Sequence, residues 1–305
     1  MPRLTVLMPV RNGQRYLPTA LSSLAATLPR DAHVRIMDDG SSDSTPALLA
    51  AAAERDSRFI IHRHDHGHGV ANSLNELARA SDSEYIARMD ADDIVMVGRW
   101  SLSRLALRNA DFVFTTSLHI NATGNITGVD QPGRFSAAAT PFHLLLGSML
   151  VHPSVTMRRS AFDALGGYTD VPAEDYELWL RAAANGYRLV RTAVPGLKYR
   201  RHDEQVTATS PWSNPDPDSP MFTAYGSLLD YTLGHRQEGW RAVFASALGR
   251  TPLTPEETAW THAMQQDIID TVQRQLNPHD AALVMWRARR EWRRADQRST
   301  QNHNA

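Results

Sequence analysis

The chain has 305 residues, with 32 Lys+Arg against 33 Asp+Glu, and a near-neutral balance of this kind gives no electrostatic footprint for a nucleic-acid partner. It contains no cysteine, which excludes a disulfide framework, a thiolate metal site and a cysteine nucleophile. With 42% apolar and 21% charged residues, the composition is that of a globular protein able to bury a core, as one large or two modest domains.

The N-terminus runs straight into an apolar strand, Leu4–Val10, with no signal-peptide pattern. The longest apolar run, Phe142–Val151, is too short to span a bilayer, so a cytoplasmic protein is expected, with room for residence at the inner face of the membrane. Strand-like runs then alternate with helical periods. His33–Met37, Phe59–His62 and Tyr85–Met89 read as further strands, and Tyr16–Leu28, Ser44–Arg55, Val70–Ala80 and Arg99–Asn109 as helices. This β-α-β-α order predicts an α/β, Rossmann-like, mostly parallel sheet flanked by helices, with ligands at the carboxyl ends of the strands.

Three polar loops fall at those ends: Pro9–Gly13, Asp38–Asp43 and Asp90–Asp93. Each has a plain local use. Asn12-Gly13 makes a helix-entry turn, and Asp43 or Ser44 makes a helix cap that accounts for Ser41, Ser42 and Asp43. Asp39 exceeds what a cap requires, and its carboxylate can accept from the amide edge of a base. Asp90, Asp92 and Asp93 sit within four residues, repel one another and lose hydration if buried. A divalent cation, Mg²⁺ or Mn²⁺, compensates such a cluster and leaves positions for substrate phosphates. Arg88 beside it can reach a phosphate or simply pair with Asp90. The convergence predicts a nucleotide site. His62, His64, His66 and His68 alternate like a metal tract, but the run holds nothing else for a binding shell and reads as a polar loop near the nucleotide.

Four segments resemble the family-2 glycosyltransferases: Leu7–Gly13 with Tyr16-Leu17 and Leu21–Leu24; Asp38–Thr45; Gly69–Asn75; and Met89–Asp93. The resemblance covers roughly residues 4–205. It implies a GT-A-type fold and transfer of a sugar, with inversion, from a nucleotide-diphosphate donor, a UDP-sugar by family habit, to a saccharide, lipid-linked or other hydroxyl acceptor in surface polysaccharide or glycoconjugate synthesis. By position it places Pro9, Val10, Arg11, Asn12 and Asp39 at the base and ribose, with Asn75 either near the base or used in helix packing. Asp90 and Ala91 fall at the ribose or diphosphate, and Asp92 on the metal.

In the second half, Asp111–Ser117 reads as a strand, Ile120–Val129 as a polar hairpin and Arg188–Ala193 as a strand ended by a Pro195-Gly196 turn. Glu174-Asp175 opens a helical period, which suits a helix dipole. Inverting transfer also needs a base to take the acceptor's proton. The resemblance puts that base on Asp175, with Glu174 as the alternative. Tyr168, His152 and Trp179 are candidates for the acceptor side, although Trp179 equally suits the core and His152 equally suits a structural role. His202 matches a position at which relatives carry a further metal ligand, and an imidazole there favours Mn²⁺. Arg200 and Arg201 can steady the leaving diphosphate.

Residues 1–209 are thus expected as the catalytic domain and 210–220 as a proline-rich linker or lid. Residues 221–298 read as a helical C-terminal extension and 299–305 as a disordered tail. Thr254-Pro255-Glu256-Glu257 predicts a capping box. The last helix carries Arg287, Arg289, Arg290, Arg293, Arg294 and Arg298 with Trp286 and Trp292; it could touch an anionic membrane or an acidic partner, but the arginines and tryptophans do not separate onto opposite faces, which favours a solvated, partly packed helix, and the helical C-terminal region as a whole could support a homo-oligomer. Two rival functions share parts of this pattern. A sugar-nucleotide nucleotidyltransferase would need a glycine-rich basic loop where Pro9–Gly13 stands, and a silent sugar-nucleotide binder would have no use for Asp175.

Overall fold

The computed structural model describes residues 2–131, 133–203, 218–236, 238–247 and 254–302. They group into two compact units: Met1–Arg134, Leu150–Asp170 and Val190–Gln205 in the first, and Phe135–Met149, Val171–Leu189 and Val206–Ala305 in the second. Among the described residues no helix is long and apolar enough to cross a membrane.

The first unit is built on strands β1 (Leu4–Val10), β2 (Ala32–Asp39), β3 (Phe59–His64), β4 (Tyr85–Arg88), β5 (Ile94–Val95), β6 (Phe112–Ile120), β7 (Ile126–Val129), β8 (Val155–Arg158) and β9 (Leu189–Arg200). The sheet runs β3-β2-β1-β4-β8-β6-β9-β5, with β7 paired to β6. Strands β1 to β4 are mutually parallel, as the sequence predicts, whereas β8 pairs antiparallel with both β4 and β6. The sheet is therefore mixed beyond its first four strands.

Helices α1 (Leu17–Thr27), α2 (Thr45–Arg55), α3 (Val70–Arg79), α4 (Arg99–Ala106) and α6 (Arg159–Ala164) belong to this unit. Strand β1 is buried along nearly its whole length, the mark of a central strand covered on both faces. Leu4, Val6, Met8 and Val10 share a core with Leu17, Leu21 and Leu24 of α1. Full burial of each such side chain contributes about 1.5–3 kcal/mol. The 4- and 3-residue spacing on α1 thus seats the helix on the sheet and fixes the intervening loop at the strand's carboxyl end.

The second unit is helical: α5 (Thr140–Leu145), α7 (Glu174–Ala184), α8 (Pro220–Leu233), α9 (Trp240–Ala247), α10 (Pro255–Gln275) and α11 (Pro278–Asn302). Its centre is aromatic. Tyr225 stacks on Phe244 with ring centroids 3.8 Å apart, and the Tyr176 and Tyr225 hydroxyls donate to the carbonyls of Leu144 and Leu145. Arg287, buried on α11, donates to the carbonyls of His143, Leu146 and Gly147, so one arginine of the basic helix serves the C-terminal end of α5. The capping box forms as predicted: Thr254 accepts from the Glu257 N–H, and Glu257 accepts from the Thr254 N–H.

Several elements differ from the sequence expectation. Pro195-Gly196 does not turn; β9 continues through it to Arg200, pairing Leu197 with Val95 and Lys198 with Ile94. A Cβ on Gly196 would lie 2.6 Å from the Thr115 hydroxyl, so this glycine permits close strand packing. Helix α11 runs to Asn302, through part of the expected tail, with no glycine or proline to stop it. Two sequence segments placed in the first domain, Phe135–Met149 and Val171–Leu189, group with the C-terminal helices. Residues 210–217 of the proline-rich stretch, and 303–305 of the tail, lie outside the described residues.

Candidate active site

The carboxyl ends of β1, β2 and β4 bring the three polar loops together. In register, Pro9 lies beside Met37 and Val10 beside Asp38, while Leu7 pairs with Arg88 on the other side. Loops one and two are stitched to each other. Asn12 donates its N–H to Ser41 Oγ (2.9 Å) and accepts the Ser42 N–H at Oδ1 (2.9 Å). Gly13 N–H donates to Thr45 Oγ1 and Gln14 N–H to Asp43 Oδ2. Asn12 holds φ 51, a left-handed conformation that asparagine tolerates better than most residues. Its side chain therefore joins two loops. Ser44 sits at the α2 N-cap without a side-chain cap bond; its hydroxyl donates instead to Gln14 Oε1.

Asp39 is nearly buried and accepts three bonds: from His68 N–H (2.9 Å) and His64 Nδ1 (2.7 Å) at Oδ1, and from Gly69 N–H (3.0 Å) at Oδ2. Burial works against its charge, but these bonds outweigh burial and hold its pKa below the usual carboxylate value. Arg11 approaches the same place, since a Cβ on Gly67 would lie 2.6 Å from its Nη1. Half of the histidine tract proves to be strand, with His62 and His64 on β3.

The acidic loop is supported from beneath by cations. Arg88 contacts Asp90, the ion-pair alternative for that arginine. Asp93 is fully buried and accepts the Arg200 N–H at 2.7 Å, while its other oxygen has no hydrogen-bond partner among the described residues. Burial, with Asp92 beside it, pushes Asp93 well above the ordinary carboxylate range. Arg99, equally buried, donates to the Arg88 carbonyl at 2.8 Å, and burial brings its pKa down to about 9. Carboxylate oxygens of Asp90, Asp92 and Asp93 lie within 4.8 Å of one another. Asp92 Oδ2 stands 2.9 Å from His202 Nε2, and Nδ1 of that histidine is buried with no partner among the described residues. Ala91 reaches back to loop one, 3.7 Å from where a Gly13 Cβ would stand.

Arg200 is the residue that sequence reasoning assigned differently. It is buried, and its guanidinium donates to the carbonyls of Asp92, Asn121 and Ala122, tying the β6–β7 hairpin to the acidic loop. It also lies 4.6 Å over the Tyr16 ring, whose centroid is 4.9 Å from that of His202. Arg201 beside it is exposed.

Asn75 brackets the Tyr168 backbone, accepting its N–H at 2.9 Å and donating to its carbonyl at 2.8 Å, which is the packing alternative for that residue. Gly167 (φ 79) allows this approach, because a Cβ there would meet Asn75 Oδ1 at 2.5 Å. Tyr168 is buried, and its hydroxyl pairs with His152 Nε2 at 2.8 Å. Burial first, and Arg88 second, hold His152 well below the usual histidine value.

In the second unit, Glu174 and Asp175 open α7, half-exposed, after Ala173 at φ 57. That left-handed geometry is strained for alanine and marks the helix start. Tyr176 N–H donates to Asp175 Oδ1 (2.7 Å), and Glu177 turns inward to pair with Arg181. Trp179 is fully enclosed in the core, so its indole has no face for a sugar, contrary to the acceptor reading.

The profile of Glycosyl transferase family 2 matches residues 5–166, and the chain belongs to that family; it is a glycosyltransferase. It is similar to the uncharacterized glycosyltransferase MJ1057 of Methanocaldococcus jannaschii, 24% identical over 65% of this chain and 71% of that one. It is also similar to the succinoglycan biosynthesis protein ExoU of Rhizobium meliloti, 29% identical over 60% of this chain and 57% of that one. Among solved structures, residues 1–349 of S. aureus TarS in complex with UDP-GlcNAc superpose with a TM-score of 0.62 at 14% identity, over 99% of this chain and 92% of that one, which supports the GT-A-type α/β fold with its helical C-terminal part.

Proposed function

We propose that the protein transfers a sugar, with inversion, from a UDP-sugar to a hydroxyl acceptor in the synthesis of a surface polysaccharide or glycoconjugate. The observation that carries this reading is the convergence of three strand-end loops around three carboxylates, with His202 on Asp92. UDP-GlcNAc in TarS and succinoglycan synthesis for ExoU support the donor and the process by likeness. Pro9, Val10, Arg11 and Asp39 line the base and ribose end in this reading, and Asp90 and Ala91 the ribose or diphosphate.

The acidic loop suits a divalent cation. The buried Asp93 oxygen without a partner and the crowding of three carboxylates, which resist carrying their charges together, suit a cation that would let them ionise. Asp92 and His202 would hold Mn²⁺ or Mg²⁺, which when bound would stabilise charge on a diphosphate. The acceptor hydroxyl gives its proton to the Asp175 carboxylate and its oxygen forms a bond to the anomeric carbon. The bond from that carbon to the phosphate oxygen breaks, and the nucleoside diphosphate leaves with the electron pair.

Nucleotide release from UDP-, GDP- and dTDP-sugars, measured with Mn²⁺, Mg²⁺ or EDTA, tests this. Release from one donor that EDTA abolishes and Asp92→Ala removes is the expected result. Release indifferent to both treatments would refute metal-assisted transfer at this loop.

A further inference from the structure

We propose that His64 and Glu76 are positioning residues for the donor's base: as an imidazolium between two carboxylates, His64 fixes which oxygen of Asp39 is turned to the nucleotide, and so ties donor affinity to pH. This deepens the proposed donor site and rests on Asp39 taking the base. The pairing starts in the sheet. Asp39 and His64 stand opposite each other in the β2–β3 register, so their side chains leave the same face, while Asp38 meets Arg63 on the other. Nδ1 of His64 lies 2.7 Å from Asp39 Oδ1, and Nε2 lies 2.9 Å from Glu76 Oε2 on α3. Ionised carboxylates only accept, and the ring donates from both nitrogens only as the imidazolium. Both lengths are those of charge-assisted bonds. Burial opposes that charge, but the bonds to Asp39 and Glu76 outweigh it and raise the His64 pKa above the ordinary histidine value.

The consequence falls on Asp39. His64 and the His68 N–H use both acceptor sites of Oδ1, whereas Oδ2 takes only the Gly69 N–H among the described residues and keeps one site open. That oxygen borders the space over Gly67: a Cβ there would lie 3.6 Å from Oδ2 and 2.6 Å from Arg11 Nη1. An acceptor and a guanidinium beside one gap suit a ring N–H flanked by a carbonyl, as on uracil, thymine or guanine. When His64 loses its proton, the neutral ring keeps one N–H, for which Asp39 and Glu76 compete, and the carboxylate left facing the lone pair is repelled. Asp39 is then held only part of the time. The charged and titratable groups around His64 are Asp39 from β2, Glu76 from α3 and His68, stacked on it at 4.0 Å, from the loop. His62 and Arg35, 3.0 Å apart, lie further along β3 and β2, and burial first, then Arg35, hold His62 below the ordinary histidine value.

The test is calorimetry on the full chain with the tightest-binding of UDP, GDP and dTDP, from about pH 6.5 to about pH 8.5. Wild-type affinity should fall several-fold as pH rises, because the imidazolium is complete at low pH and is lost as pH passes the raised His64 pKa. Glu76→Gln offers an amide donor to Nε2 of the neutral ring, so the remaining proton stays toward Asp39. It should match the wild type at the acid end and hold that affinity to the alkaline end. His64→Leu has no donor and should bind roughly 10-fold more weakly throughout, the loss of one hydrogen bond to a charged group. His68→Gln should keep the wild-type slope. The nucleotide's own titration is common to every protein and cancels in the comparison. Should His64→Leu fail to fold, Glu76→Gln, at a partly exposed side chain, decides alone. Parallel slopes for wild type and Glu76→Gln, or wild-type affinity in His64→Leu, would overturn the proposal. Asp39→Asn separates it from the reading beneath. Undiminished binding there, or no binding of any of the three nucleotides to the wild type, would remove Asp39 from the base and the proposal with it. Weakened binding in Asp39→Asn leaves the donor site standing even where the His64 and Glu76 variants go against the proposal.

Discussion

The two units bury different things. At the acidic loop the first encloses Asp93, Arg88, Arg99 and Arg200, whereas the second is filled chiefly with Trp179, Tyr176, Tyr225, Phe222 and Phe244. Burying charge costs hydration energy that only well-placed partners offset, and breaking one partner leaves the other exposed to that cost. Aromatic burial carries no such liability, and the tyrosine hydroxyls are satisfied by backbone carbonyls. The contrast assigns the units different duties. One holds charged groups in fixed positions at the expense of stability; the other is a firm apolar bed for the helix that presents Glu174 and Asp175.

The largest effect expected is on activity. Asp175→Asn should lower transfer by about 10²–10⁴-fold, the usual contribution of a general base, while donor affinity measured by calorimetry stays unchanged. Equal loss in both measurements would make Asp175 a structural member of α7 and blur the division of duties. Next is stability in the first unit. Arg99→Met removes a buried cation beside Asp93 and should cost about 3–5 kcal/mol in urea unfolding. Adding Asp93→Asn, which takes away the stranded carboxylate, should recover part of that loss. If Arg99→Met alone is harmless, the buried charges are not coupled and the comparison fails on its main point.

Much of the first unit was legible because its signals are local. The four leading strands and their helices follow from apolar periodicity, and the capping box at Thr254 from four adjacent residues. The loops at the strand ends follow from topology once the parallel order is read. What escaped depends on partners far along the chain. Arg200 is used by Asp92 and the hairpin, and Glu76 by His64. A polar residue has the same letter whether it faces a ligand or clasps a backbone, and only the fold decides. The extended run through Pro195-Gly196 was hidden for a similar reason: it is held open by pairing with β5, a hundred residues earlier.

Acid sharpens the comparison further. His152 is kept neutral by burial, so below about pH 6.5 the unfolded chain takes a proton that the folded one refuses. Its contribution is complete above that pH and is lost as pH falls, by up to about 1.4 kcal/mol per unit for one proton. Urea unfolding of wild type and His152→Gln from pH 7.5 to 5.5 should show the steeper fall in the wild type. Hydrogen exchange should place that extra loosening in β4 and β8, beside the His152–Tyr168 pair, and leave α7 and α8 unaffected. Parallel curves for the two proteins would mean that His152 takes its proton within the fold.

The smallest effect belongs to the second unit and tests an uncharged cap. Thr254→Ala removes the acceptor for the Glu257 N–H at the start of α10 and should cost about 1 kcal/mol, the usual value of such a cap. The bond joins a hydroxyl to a backbone amide, both uncharged, so the loss should be the same at pH 6 and pH 8. A Thr254→Ser variant, which keeps the hydroxyl, should recover most of it. A loss that grew toward pH 6 would tie this cap to a titrating group, for which His235, paired with Asp267 of the same helix, is the first candidate.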